Sequence, residues 1–96
     1  MKYLREAILK VPGGKMLRVF VDVNNGVISS IMITGDFFLH PEDVLPMIEE
    51  ALVGKMVELD ALTRYIDGIL TERHARFIGA SARDVAQAIV NASSAS

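Results

Sequence analysis

An α+β domain, with a small antiparallel sheet of about three strands and about three helices packed on one of its faces, is the fold this sequence predicts. Three observations predict it. Period-two alternation fills residues 16–34 around one Asn-Asn-Gly turn, apolar residues at helical spacing come only after Gly35, and an apolar fraction of 51% with mean hydropathy +0.35 supplies a core. Residues 1–96 are read as a single domain with an SSAS tail at 93–96 that frays.

The elements follow in order. YLREAILKV reads as a strand, ended by Pro12, Gly13 and Gly14. In KMLRVFVDV, Leu17, Val19, Val21 and Val23 alternate with Met16, Arg18, Phe20 and Asp22, as in a strand with one buried face. Asn24, Asn25 and Gly26 then turn the chain into VISSIMIT. A two-residue Asn25-Gly26 loop would oppose Val21 to Ser30, whereas a three-residue loop with Gly26 left-handed opposes Val23 to Val27, Val19 to Ile31 and Leu17 to Ile33. The second register keeps apolar residues together and is the one expected.

Gly35 closes that strand, and His40-Pro41 is expected to open a helix, with Pro41 at its first position, Glu42 and Asp43 at the positive dipole end, and Leu39 and Val44 as a staple. Val44, Leu45, Ile48 and Leu52 line one face until Gly54, and Pro46 predicts a kink or a delayed start. A second helix is expected over about Leu59–Leu70, with Gly68 as its weak point. The third follows Ser81, whose spacing to Asp84 is that of a capping box, and buries Ala82, Val85, Ala86, Ile89 and Val90.

Composition excludes several functions. Ninety-six residues are short for an enzyme that must hold several substrates, so any chemistry is expected to be shared with a partner. Zero cysteines remove disulfides, thiolate metal sites and thiol nucleophiles. A net charge of −2 argues against nucleic acid binding by counterion release. No signal-peptide core and no apolar run of bilayer length is present, so a cytoplasmic location without membrane association is expected. Charge is uneven: residues 1–20 balance at +4, 21–60 at −7 and 61–96 at +1. That pattern suits either a solvated surface or a phosphate-facing edge near Lys15.

Two segments carry candidate residues. Gly13, Gly14 and Lys15 lack the earlier glycine and the following Ser or Thr of a phosphate loop, which leaves a plain turn or a ligand-facing backbone with one cation. In Gly35, Asp36, Phe37, Phe38, Leu39 and His40, adjacent phenylalanines cannot face the same way. Either both enter the core from opposite sides or they form a partner-binding patch. Asp36 suits backbone capping in a turn. His40 and His74 have no evident third ligand, so no metal site is assigned, and no catalytic triad can be ordered.

With KVPGGK at 10–15, the strand pair at 16–34, and ITGDFFLHPEDVLPMIEEALVGK at 33–55, the chain resembles the C-terminal accessory domain of lipoate-protein ligases. The resemblance is specific over the first 55 residues and general over the helical remainder. It implies the small subunit of a split, two-chain ligase: no catalytic residue and no cofactor of its own, with ATP, magnesium and lipoate held by a separate large subunit that forms lipoyl-adenylate. The implied role is to complete adenylation by docking on that subunit, serving indirectly the lipoyl acceptor proteins of 2-oxoacid dehydrogenases and the glycine-cleavage system. Gly13, Gly14 and Lys15 would face the partner's phosphate region, and Gly35, Asp36, Phe37, Phe38 and His40 would dock. The competing reading is a non-catalytic scaffold of sulfur-acceptor-like fold, since carrier chemistry in that class needs a cysteine.

Overall fold

The computed structural model describes residues 5–11, 13 and 15–94. Its elements run β1 (Arg5–Val11), β2 (Lys15–Asn24), β3 (Val27–Gly35), β4 (Phe38–His40), α1 (Val44–Leu52), α2 (Leu59–Glu72), β5 (Arg76–Ile78) and α3 (Ala82–Ser94). Strands β1, β2 and β3 form an antiparallel sheet in that order. α3 lies astride β1 and β2, α1 packs on β3, and α2 packs chiefly on α3. The helices thus cover one face of the sheet, as the order of patterns predicts. Leu17, Val19, Val21 and Ile33 point into that core to meet Ile48, Leu52, Leu62, Ile66, Val85 and Ile89, all buried.

The β2–β3 register differs from the expected one. Asn25 and Gly26, at φ 53° and 77°, form a two-residue loop that pairs Asn24 with Val27 and Val23 with Ile28. The register then shifts at Asp22/Val23, leaving Ser29 as the extra residue, so that Asp22 faces Ser30, Val21 faces Ile31 and Val19 faces Ile33. Two left-handed residues match the twist of the flanking strands, and a β-bulge restores the apolar matching that this tight turn alone would lose. The Ser29 hydroxyl donates to the Asp22 carbonyl at 3.0 Å across the bulge.

The first helix starts later than His40-Pro41. Val44 N–H donates to the Pro41 carbonyl at 3.1 Å and Leu45 N–H to the Glu42 carbonyl at 3.3 Å, so Glu42 and Asp43 sit in a turn before α1. Pro46 thereby occupies the third helical position, where an N–H has no intrahelical acceptor, and its missing donor costs nothing. The Ser81–Asp84 box forms as expected: Asp84 N–H donates to Ser81 Oγ at 3.2 Å, and Ser81 N–H to Asp84 Oδ2 at 3.0 Å. The expected fraying does not reach Ser93 and Ser94, which complete α3. Ser93 Oγ donates to the Val90 carbonyl at 2.9 Å, and the Arg5 guanidinium donates to the Ser93 carbonyl at 2.6 Å. Residues 95 and 96 lie outside the described part.

A second sheet, absent from the sequence reading, pairs β4 with β5: Phe38 opposes Ile78, Leu39 opposes Phe77, and His40 opposes Arg76. The outer edge of β3 is closed as well. Val57 N–H donates to the Gly26 carbonyl at 3.0 Å, Ile28 N–H to the Lys55 carbonyl at 2.9 Å, and Gly54 N–H to the Ile28 carbonyl at 2.7 Å. Further along, Ile33 N–H donates to the Glu49 carboxylate of α1 at 2.7 Å in a half-buried site. Replacing Glu49 with Ala is expected to cost about 1–3 kcal/mol, the penalty for stranding a donor, and Gln should cost less because it keeps an acceptor. Urea denaturation measures this; an Ala variant as stable as the parent would remove Glu49 from the fold's supports.

Candidate functional site: a cleft at the open end of the sheet

Both candidate segments converge where β2 begins and β3 ends. Gly13, Lys15, Gly35, Asp36, Phe37 and Phe38 line one cleft of about 450 Å³. Gly14, expected to join them, lies outside the described residues. The convergence follows from the pairing. Leu17 opposes Gly35, so the residues entering β2 and leaving β3 are neighbours, and Asp36 N–H extends the ladder by donating to the Met16 carbonyl at 2.7 Å.

Gly35 is required by close approach. A Cβ built there would stand 2.3 Å from the Met16 carbonyl oxygen, at a φ of 152°. Gly79, which precedes α3, lies against three of the lining residues, a contact that the sequence reading missed. Its hypothetical Cβ would meet the Asp36 carbonyl at 3.4 Å, the Lys15 Cγ at 3.5 Å and the Phe37 Cα at 3.6 Å. Its φ of 92° also demands a glycine. The only sequence signal for it was a glycine before a helix cap.

The phenylalanines divide. Phe37 is half-buried and meets Phe77 edge-on, with ring centroids 5.5 Å apart and planes at 65°. Phe38 is 71% exposed, and its cross-strand neighbour Ile78 is 54% exposed. The reading that puts both rings in the core therefore fails for Phe38, whose ring stands with Ile78 on the exposed side of the β4–β5 ribbon. Phe37, in turn, serves the core more than a surface. Exposed His40 sits opposite exposed Arg76, on the same side of the ribbon as Phe38 and Ile78. That side presents the apolar pair Phe38 and Ile78 beside His40 and Arg76, next to the cleft.

The cleft carries one cation at Lys15, one carboxylate at Asp36, and backbone opened by glycines on two sides. Such a set can hold or orient a charged group. No nucleophile among its described residues is paired with a base. Among the described residues no three His, Asp or Glu side chains gather as a metal site. No helix of the described part is long and apolar enough to cross a membrane. Another groove, of about 640 Å³, lies between α1 and α2, with Glu50, Arg64, Tyr65, Gly68, Glu72 and Arg73 among its lining. Charges of both signs line it, and no candidate residue lies in it.

The family model described as bacterial lipoate protein ligase C-terminus matches residues 2–89. Lipoate-protein ligase A subunit 2 of Thermoplasma acidophilum is 36% identical over 59 residues, 58% of this chain. The match spans 63% of that relative's own length. A solved chain from an archaeal lipoylation system, a bi-partite lipoate protein ligase and its E2 lipoyl domain from the same organism, superposes with a TM-score of 0.70. Identity there is 27%, over 93% of this chain and 94% of that one.

Proposed function

The chain belongs to the family of bacterial lipoate protein ligase C-termini, and on that premise we propose that it is the accessory subunit of a two-chain lipoate-protein ligase. The single observation that carries this reading is the end-to-end likeness to a chain of a bi-partite ligase, over 93% of one and 94% of the other. A separate large subunit would hold ATP with magnesium and lipoate and form lipoyl-adenylate, and the lipoyl group would pass from it to an acceptor lysine. The acceptors are lipoyl domains of the kind found in 2-oxoacid dehydrogenases and in the glycine-cleavage system.

The site's chemistry supports a role in assembly. A lone lysine on a glycine-opened cleft can steer a phosphate without donating a nucleophile, and docking that excludes water strengthens every charge interaction at the covered active site. Lys15 is the residue assigned to the phosphate side. Phe38, with Ile78, is the apolar anchor; Gly35, Asp36 and Phe37 shape the cleft wall, and His40 sits on the docking side of the ribbon.

Reconstitution tests the proposal. The large subunit alone should form lipoyl-adenylate from lipoate and ATP at least about tenfold more slowly than with this chain added, a barrier difference of about 1.4 kcal/mol or more. Full activity without this chain would overturn it. Lys15→Ala should depress the restored rate while leaving the melting temperature in place, because Lys15 is exposed. Equal rates for the variant and the parent would return Lys15 to the solvated surface.

A further inference from the structure

The two edges of the three-stranded sheet are treated unequally. β3 has its outer edge closed by residues 54–57 and by the Glu49 carboxylate. Among the described residues no strand pairs with the outer edge of β1.

Which backbone groups face outward follows from the ladder. Ile33 N–H points away from β2, toward Glu49, so Val19 opposite it has its own N–H and C=O directed at β1. Asp36 N–H donating to the Met16 carbonyl obeys the same alternation. Ala7 pairs with Val19 and Leu9 with Leu17, so these residues spend their backbone groups on β2. Glu6, Ile8 and Lys10 are left with theirs directed outward.

The sequence of this edge is complementary to itself. Laid antiparallel on a second copy with the two-fold axis at Ile8, β1 sets Glu6 opposite Lys10, Ile8 opposite Ile8 and Lys10 opposite Glu6. All three are outward-facing positions, so each forms a hydrogen-bonded pair. All seven residues of the strand are used, with Ala7 opposite Leu9 on the core side. Charges on a free edge ordinarily deter pairing, but in this register every charge on the open face meets its opposite. Ile8 is 51% exposed on that face. Arg18 Nε, 3.2 Å from Glu6 Oε2, would complete an Arg18–Glu6–Lys10 cluster with the neighbour's lysine.

The helical layer permits the arrangement. Strands stand about 4.8 Å apart, so two copies of a helix astride β1 and β2 would come to about 10 Å, an ordinary helix-packing distance.

We propose that the free edge of β1 is a self-association site, through which two copies of this chain join their sheets into one continuous six-stranded sheet. The contact is one strand wide, so it is a concentration-dependent dimer with a dissociation constant of about 10 µM to 1 mM.

Sedimentation equilibrium of the purified chain, up to about 1 mM, tests it against that range. The weight-average mass should climb from the 10.5 kDa of one chain toward twice that value. Lys10→Glu, which faces its carboxylate with Glu6, should weaken association about tenfold, and Glu6→Lys should do the same. Mixed together, those two variants are complementary again and should recover association to within about threefold of the parent. Ile8→Pro removes an outward N–H that the fold itself does not use and should abolish the dimer with the circular dichroism preserved. A constant monomer mass over the whole range, or a mixture no better than either variant alone, overturns the proposal. So does a chain that stays monomeric alone while Ile8→Pro abolishes its binding to the large subunit, since the edge would then belong to that subunit.

Discussion

Gly35→Ala is expected to destabilise the fold by about 3–5 kcal/mol, the sum of a strained backbone and an overpacked contact. The added methyl group would stand 2.3 Å from the Met16 carbonyl oxygen, and backbone on both sides leaves no flexible side chain to give way. Relief requires β2 and β3 to separate where Asp36 N–H bonds Met16, which opens the end of the sheet that builds the cleft. For a domain of this length the melting temperature should fall by about 15 °C or more. Gly68→Ala is the control. Gly68 lies within α2 with nothing within 4 Å of its hypothetical Cβ, so alanine there should raise stability by about 0.5–1 kcal/mol through helix propensity alone. A Gly35→Ala variant within about 1 kcal/mol of the parent in urea denaturation would show that the strand ends are not locked together there.

Phe38→Asp is expected to weaken docking on the large subunit by about a hundredfold while moving the melting temperature by no more than a few degrees. The ring is 71% exposed, so the folded chain loses little when it goes. An aromatic anchor seated in a partner's pocket contributes about 2–4 kcal/mol to binding, and a carboxylate in its place must be desolvated as well. Titration calorimetry against the large subunit measures the first effect and thermal melting the second. Phe37→Ala should behave the opposite way, losing about 3 kcal/mol of stability, because that ring packs on Phe77 and the core. Unchanged affinity of the Phe38→Asp variant would place the docking surface elsewhere on the molecule.

The two phenylalanines show how far the candidate site was legible. Their adjacency announced that they would diverge, but which one is buried depends on the short strand that begins at Phe38. β4 and β5 are three residues each, too short for a period-two pattern to be distinguished from a loop. They become strands because they pair with one another across 35 residues of intervening chain. Gly79 stayed unread for the same reason: its contact with the cleft's lining exists only once β5 has brought it beside Lys15 and Asp36.

By itself the sequence determined the elements whose signals are local. The alternation of β2, the Ser81–Asp84 cap and the helical spacing of α2 each depend on residues a few positions apart, and all three appear where they were expected. Only the tertiary structure decided the bulge at Ser29, the grip of Glu49 on Ile33, the late start of α1 and the meeting of both glycine segments in one cleft. Those features are settled by which buried groups must be paired or packed after distant segments have come together. A chain read in order carries the local preferences; the unsatisfied donors and clashing atoms that select among them arise only when the layers close.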